Sequence, residues 1–168
     1  MKWNLDPSHS EMQFKVRHLM ITNVTGKIEK FSAEVESDDD KFTNAKISFS
    51  ADMNSISTGD AQRDGHLKSG DFFETEKFPT LDFTNGRIEG EKLHGDLTIK
   101  GITKPVALEV DFGGAGKDPW GNLKAGFSVS GKIQRSAWEL NWNAALEAGG
   151  VLVSDDVRIA AEIQLVQG

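Results

Sequence analysis

The stretch KLHGDLTIK, Lys92 to Lys100, places Leu93, Gly95, Leu97 and Ile99 on one parity and His94, Asp96, Thr98 and Lys100 on the other. An apolar row alternating with a polar, charged row marks a β-strand with one buried and one wet face. His94 therefore faces solvent. Upstream, Thr80 to Glu89 repeats the pattern, except that Leu81 and Phe83 change parity to Ile88 across Asn85-Gly86. A turn at Gly90-Glu91 leaves both flanking strands long enough to pair, so Asn85-Gly86 reads as a β-bulge rather than a hairpin. Downstream, GITKP makes the next turn and VALEVDF, Val106 to Phe112, the next strand.

The same period carries to both ends. The turn-rich GGAGKDPWGN leads to AGFSVSGKI, whose Ala125, Phe127, Val129, Gly131 and Ile133 face inward, and DVRIAAEIQLV is the last strand. Toward the N-terminus, EMQFKVRHLM turns Met12, Phe14, Val16, His18 and Met20 to one side. NVTGKIEKFSAEV changes parity near Glu29 and Lys30, which predicts a second bulge, and KISFSADM sets Ile47, Phe49, Ala51 and Met53 inward. About eight antiparallel strands result, with longer connections at roughly Asn54 to Pro79 and Gln134 to Ser154. A sandwich satisfies the alternation as well as a barrel does, but closure removes exposed edges. The small inward residues Gly26, Ala33, Ala51, Gly95, Ala125, Gly131 and Ala161 favour a hollow barrel with room for one small ligand.

At 168 residues, 38% hydrophobic and 27% charged, the chain fits one globular domain over 1–168. No window approaches the roughly 18 unbroken apolar residues of a membrane helix. A net charge of −7 with no basic stripe argues against nucleic acid. EVESDDD, Glu34 to Asp40, lacks the glycine and distal glutamate of a calcium loop and reads as a solvated strand end. The absence of cysteine removes disulfides and thiolate chemistry. MKWNLDPSHSEMQF has no apolar core of a secretory signal, so a cytoplasmic location is the expectation, with a periplasmic or secreted one the alternative if a signal has been removed.

RDGHLKSGDFF, Arg63 to Phe73, is the densest chemical cluster, and by itself it fits an active site, a metal site or a lid. Asp64, His66 and Asp71 have ligand types that suit zinc, but their spacing lacks the i, i+4 pairing that aims two ligands together. His9 and His18 stand nine apart along a strand and need a turn between them to share a metal. With no G-x-S-x-G elbow, a Ser-His-Asp nucleophile has no anchor in the sequence. A lid fits best: Leu67, Phe72 and Phe73 pack down while Arg63, Asp64 and Lys68 face solvent, and His66 is a structural hydrogen-bonding residue. Gly65 costs a helix about 1 kcal/mol, so DAQRDGHLKS reads as a broken helical turn. His18, on the apolar side of its strand, is either a satisfied core histidine or a polar contact for a ligand headgroup.

Four blocks together resemble the YceI-like family of lipocalin-like polyisoprenoid-binding proteins. They are WNLDPSHSEMQFKVRHLMITNVTGKIEKF, RDGHLKSGDFFETEKFPTLDF, GDLTIKGITKPVALEV and GFSVSGKIQRSAWELNWNAALEAGGVLVSDDVRIAAEI, in order over nearly the whole chain. The resemblance implies an eight-stranded antiparallel lipocalin-like barrel with short helical connections. It implies as ligand a polyprenyl quinone or related isoprenoid, with neither a catalytic group nor a metal. It also implies homodimers, and it allows transient membrane contact without a membrane-spanning segment. Glu139 stands where the family usually carries the glycine of an aromatic-Gly-Leu run, and its Cβ disfavours a positive-φ turn there. On this reading Phe14, Val16, His18, Phe49, Met53, Leu97 and Phe127 line the cavity, and Leu67, Phe72 and Phe73 cover it. A carrier, store or sensor is the leading function. An enzyme acting on an isoprenoid-like substrate and an interaction module with a filled barrel are the alternatives.

Overall fold

The computed structural model describes residues 1–19, 21–143 and 152–168. Met20, counted above with the inward row, lies outside them. Among the described residues eleven strands form: β1 (Lys2–Leu5), β2 (Glu11–His18), β3 (Thr22–Ile28), β4 (Phe31–Glu36), β5 (Lys46–Asp52), β6 (Ile56–Ser57), β7 (Thr80–Glu89), β8 (Lys92–Ile99), β9 (Ile102–Lys117), β10 (Leu123–Gln134) and β11 (Val153–Gln167). The order β1-β4-β5-β7-β8-β9-β10-β11 returns to β1 through Trp3 opposite Gln167, so eight antiparallel strands close a barrel. Closure leaves no free edge in that ring.

One end of the barrel is taller on one side. There β11 continues upward against β2, β2 pairs with β3, and β3 pairs with β6. Two interruptions separate the tall wall from the ring. Between β1 and β2 the chain makes a 3-10 turn over Pro7–His9 capped by Asp6. Between β3 and β4 the parity change is a full break rather than the expected bulge. Its cause is Ser55, whose carbonyl accepts the Glu29 N–H and whose hydroxyl accepts the Lys30 N–H, so neither amide is free for a strand partner.

The expected bulge in β7 is present. The pairing registers slip between Thr84 and Arg87 on one side and opposite Ile47–Phe49 on the other, with Asn85 at φ 55°. β9 is longer than expected at both ends. GITKP turns only at Lys100 and Gly101, and β9 runs from Ile102 through Pro105 to Lys117. Proline is tolerated because β9 pairs with β8 over Ile102–Glu109 but with β10 only from Glu109 onward, so no ladder bond needs a Pro105 N–H. The second turn narrows to Asp118–Asn122, where the Asp118 carboxylate accepts the Trp120 and Asn122 N–H groups.

Aromatic residues plug the shorter end. Trp3 is 1% exposed, donates Nε1–H to Ser37 Oγ at 2.9 Å and lies 4.7 Å from the Phe42 ring, which meets Phe127 edge-on. Three of the small inward residues do not leave room as expected: a Cβ on Gly131 would overlap Leu108 Cδ2, and the other two lie under rings. A Cβ on Gly26 would overlap the Phe14 ring, and one on Gly95 would overlap the Phe83 ring. These two glycines are seats for aromatic rings, and the open space lies elsewhere.

Candidate functional site

That space is two chambers. The lower one, of about 130 Å³, is walled only by apolar side chains, including Ala33, Val35, Phe49, Phe83, Leu97, Leu108 and Phe127. The upper one, of about 250 Å³, lies against the tall wall and is lined from β2 by Phe14, Val16 and His18 and from below by Met53. Met12, Leu81 and Ile159 belong to both linings and form the waist between them. All ten residues singled out from the sequence border one chamber or the other. Phe49, Leu97 and Phe127 border the lower, and Phe14, Val16, His18, Met53, Leu67, Phe72 and Phe73 the upper.

The cover over the upper chamber is built from RDGHLKSGDFF. A helix, α1 (Ala61–Leu67), forms through Gly65 in place of the expected broken turn. Two contacts offset the glycine. Asp60 caps the helix by accepting the Arg63 N–H, and Asp64 accepts from both the N–H and the hydroxyl of Thr58 at 2.8 and 2.6 Å. Asp64 is thus turned onto the β6 end rather than out to solvent. Arg63 is exposed at the chamber mouth, its Nε donating to Thr58 Oγ1 and a terminal nitrogen to the Thr58 carbonyl.

Past α1 the chain folds back so that Phe73 N–H reaches the Leu67 carbonyl and Glu74 N–H the Ser69 carbonyl. Phe72, 8% exposed, packs 5.3 Å from Trp142, and the His66 ring meets both edge-on at 5.1 and 4.7 Å. His66 Nε2 is 2.8 Å from Asp71 Oδ2, which fixes the ring orientation. The expected structural role for His66 therefore has its contacts, within an aromatic lid. Asp71 meets His66 but Asp64 is turned onto Thr58 instead, and among the described residues no three metal-ligating side chains cluster.

Two further sequence candidates separate. His9 sits on the turn before β2, and His18 at the far end of that strand. Asp6, Ser8 and His9 are mutually bonded, but Ser8 Oγ and Asp6 Oδ2 both meet the same nitrogen, Nδ1. A catalytic relay needs the acid and the nucleophile on opposite ring nitrogens, so this trio is a turn cap.

Arg135 is the residue sequence reasoning missed. It is 6% exposed and borders the upper chamber. Its Nε donates to the Ser154 carbonyl at 2.9 Å, one terminal nitrogen to the Leu140 and Trp142 carbonyls at 2.6 and 3.0 Å, and the other to the Val153 carbonyl at 3.3 Å. These bonds stitch the segment after β10 to the start of β11 and position Trp142 over the mouth. Burial pushes the guanidinium below its ordinary value and the Asp155 carboxylate opposes this. It stays protonated at physiological pH regardless. The available signal was parity, since Arg135 continues the inward row of Phe127, Val129, Gly131 and Ile133. Besides His18, the polar side chains of Thr58, Arg63, His66 and Arg135 share the chamber's lining.

Glu139 takes φ 59° after the 3-10 turn Arg135–Trp138, so the turn survives without glycine. It is held by the Leu140 N–H bond to the Arg135 carbonyl and by Trp138 Nε1–H donating to the Leu97 carbonyl at 2.9 Å.

Comparison with known proteins follows this architecture. The YceI-like domain family matches residues 3–165. A UPF0312 protein of Staphylococcus aureus strain USA300 is 39% identical over 163 residues, covering 96% of this chain and 95% of that protein. The crystal structure of a Campylobacter jejuni YceI protein superposes with a TM-score of 0.75 at 32% identity, covering 98% of this chain and 96% of the other. A polyisoprenoid-binding domain from Saccharophagus degradans, implicated in plant cell wall breakdown, shares the fold with a TM-score of 0.74 at 14% identity, covering 99% and 98%.

Proposed function

The chain belongs to the YceI-like family, and on that premise we propose that it binds a long-chain isoprenoid or similar amphiphilic lipid inside the barrel, as a carrier, store or sensor. The observation that carries this reading is the pair of chambers meeting at Met12, Leu81 and Ile159, one purely apolar and one with polar groups at its mouth. A tail entering the lower chamber meets only apolar side chains among the described residues. Each buried CH₂ contributes about 0.8 kcal/mol, so a five-carbon unit gives roughly 3 to 4 kcal/mol gross. Ordering the tail and losing free rotation offset several kcal/mol, and a few units still reach micromolar binding.

The ten residues Phe14, Val16, His18, Phe49, Met53, Leu67, Phe72, Phe73, Leu97 and Phe127 are the proposed contacts. None of this requires a catalytic step. Organic extraction of natively purified protein followed by mass spectrometry, with titration of stripped protein by polyprenyl quinones of increasing length, tests the reading. A co-purifying apolar compound and saturable binding support it. Extracts without any apolar ligand, together with no saturable binding at any length, overturn it, and a quinone returned chemically altered after incubation favours an enzyme instead.

A further inference from the structure

Chemical asymmetry at the upper chamber carries a second step. The protein holds 26 acidic residues against 19 lysines and arginines, yet among the described residues the ionisable groups lining this chamber are His18, Arg63, His66 and Arg135, with no carboxylate. The neighbouring acids stand behind the lining rather than in it. Asp64 is bonded to Thr58, Asp71 to His66 and Asp155 to Ser136.

Arg135 sharpens the point. Its hydrogen bonds run to carbonyl oxygens, and Asp155 acts on it only from beyond ion-pair distance, so its donors are satisfied while its charge has no carboxylate in contact among the described residues. A buried charge without a counter-charge is costly, and an anion placed nearby recovers part of that cost. At the mouth, Arg63 spends Nε and one terminal nitrogen on Thr58, and its remaining nitrogen, Nη1, has no protein partner among the described residues. That leaves a fixed guanidinium donor at the mouth of the chamber.

Resting on the lumen binding proposed above, we infer that the barrel selects amphiphiles whose head is an oxyanion, a carboxylate or a phosphate, over those with a neutral head. Arg63 and His18 contact the head, and Arg135 supplies positive potential from behind it. The apolar chambers read the tail and do not distinguish heads. The preference is therefore a property of the mouth alone.

The test compares heads on matched tails. Stripped protein is titrated with farnesol and farnesyl phosphate, and with hexadecanol and hexadecanoate, at low and high salt. Each anion should bind about tenfold more tightly than its alcohol, with the advantage shrinking as salt rises. A larger gap for the phosphate pair assigns the site to prenyl phosphates, and a larger gap for the carboxylate pair assigns it to fatty acids. Arg63→Gln should bring each anion to within about twofold of its alcohol, and Arg63→Lys should restore part of the gap. Arg63 is exposed, so circular dichroism should report an unchanged barrel for both variants. Equal binding of anion and alcohol, or a gap indifferent to Arg63→Gln, overturns the head preference and leaves lumen binding standing. Absence of binding by all four compounds overturns the head preference, and overturns lumen binding as well when polyprenyl quinones of every length also fail to bind.

Discussion

Asp6 Oδ2 lies 2.7 Å from Lys124 Nζ, an ion pair between residues 118 apart that ties the junction of β1 and β2 to β10. The same carboxylate accepts the Ser8 N–H and hydroxyl through Oδ1 and faces His9 Nδ1 at 2.9 Å. Only 13% of the Asp6 side chain is exposed, so the pair crosses the barrel rim with little screening.

The Lys124 bond, with Ser8 and His9 behind it, holds the Asp6 carboxyl far below the usual carboxylate range. A folded-state pKa lowered in this way gives stability that is fully present above the unfolded value of about 4 and is lost as pH falls toward the folded one. Urea midpoints should be flat from pH 8 to 5 and decline progressively below that. Asp6→Asn should cost about 1–2 kcal/mol near neutrality and lose part of the acid decline. A variant whose acid limb matches the parent would show that Asp6 does not drive it.

Glu139 holds a left-handed conformation that glycine adopts freely, and its side chain is exposed, so nothing is lost by removing it. Glu139→Gly should stabilise the protein by about 1 kcal/mol in urea titration, and Glu139→Asn by less. If both variants are destabilised, the turn is maintained by a side-chain contact of Glu139 and not against its backbone preference.

Gly95 lies under the Phe83 ring, where a Cβ would overlap three ring carbons. Gly95→Ala should cost about 1–3 kcal/mol, since the ring must leave its rotamer or the strands must part. In a Phe83→Leu background the same substitution should cost much less, and this coupling is what a double-mutant cycle in urea would measure. Equal cost in both backgrounds would place the strain in the backbone.

The strands were legible because a barrel has one rule, alternation, and Leu93 to Ile99 or Met12 to His18 obey it without interruption. The β7 bulge was legible for the same reason, as a parity slip at Asn85-Gly86. The break at Glu29 and Lys30 was not, because its cause is Ser55, a residue from another part of the chain that takes two backbone amides. Gly26 and Gly95 misled in the opposite direction. A small residue on an inward row is compatible with a void or with a ring seated on it, and only the partner strand decides. The lid was visible as Leu67, Phe72 and Phe73, whereas Trp142 joins it through Arg135, whose carbonyl bonds leave no pattern in sequence.

The waist at Met12, Leu81 and Ile159 gives a prediction about tail length. A short tail fits the upper chamber alone, and a longer one must pass Met12, whose flexible thioether can move aside more readily than a branched side chain. Ala33 borders only the lower chamber, on β4, far from the mouth. Ala33→Leu adds three carbons where the end of a long tail would lie and fills space that is open in the parent, so stability should change by less than about 1.5 kcal/mol. Binding of a two-unit prenyl chain should be unaffected, while an eight-unit chain should lose about tenfold or more in affinity, because several CH₂ groups are displaced at about 0.8 kcal/mol each. Titration of both chains against parent and variant reads the difference directly. An eight-unit chain held as tightly by the variant as by the parent would mean that the tail does not pass the waist and that the lower chamber is core rather than site.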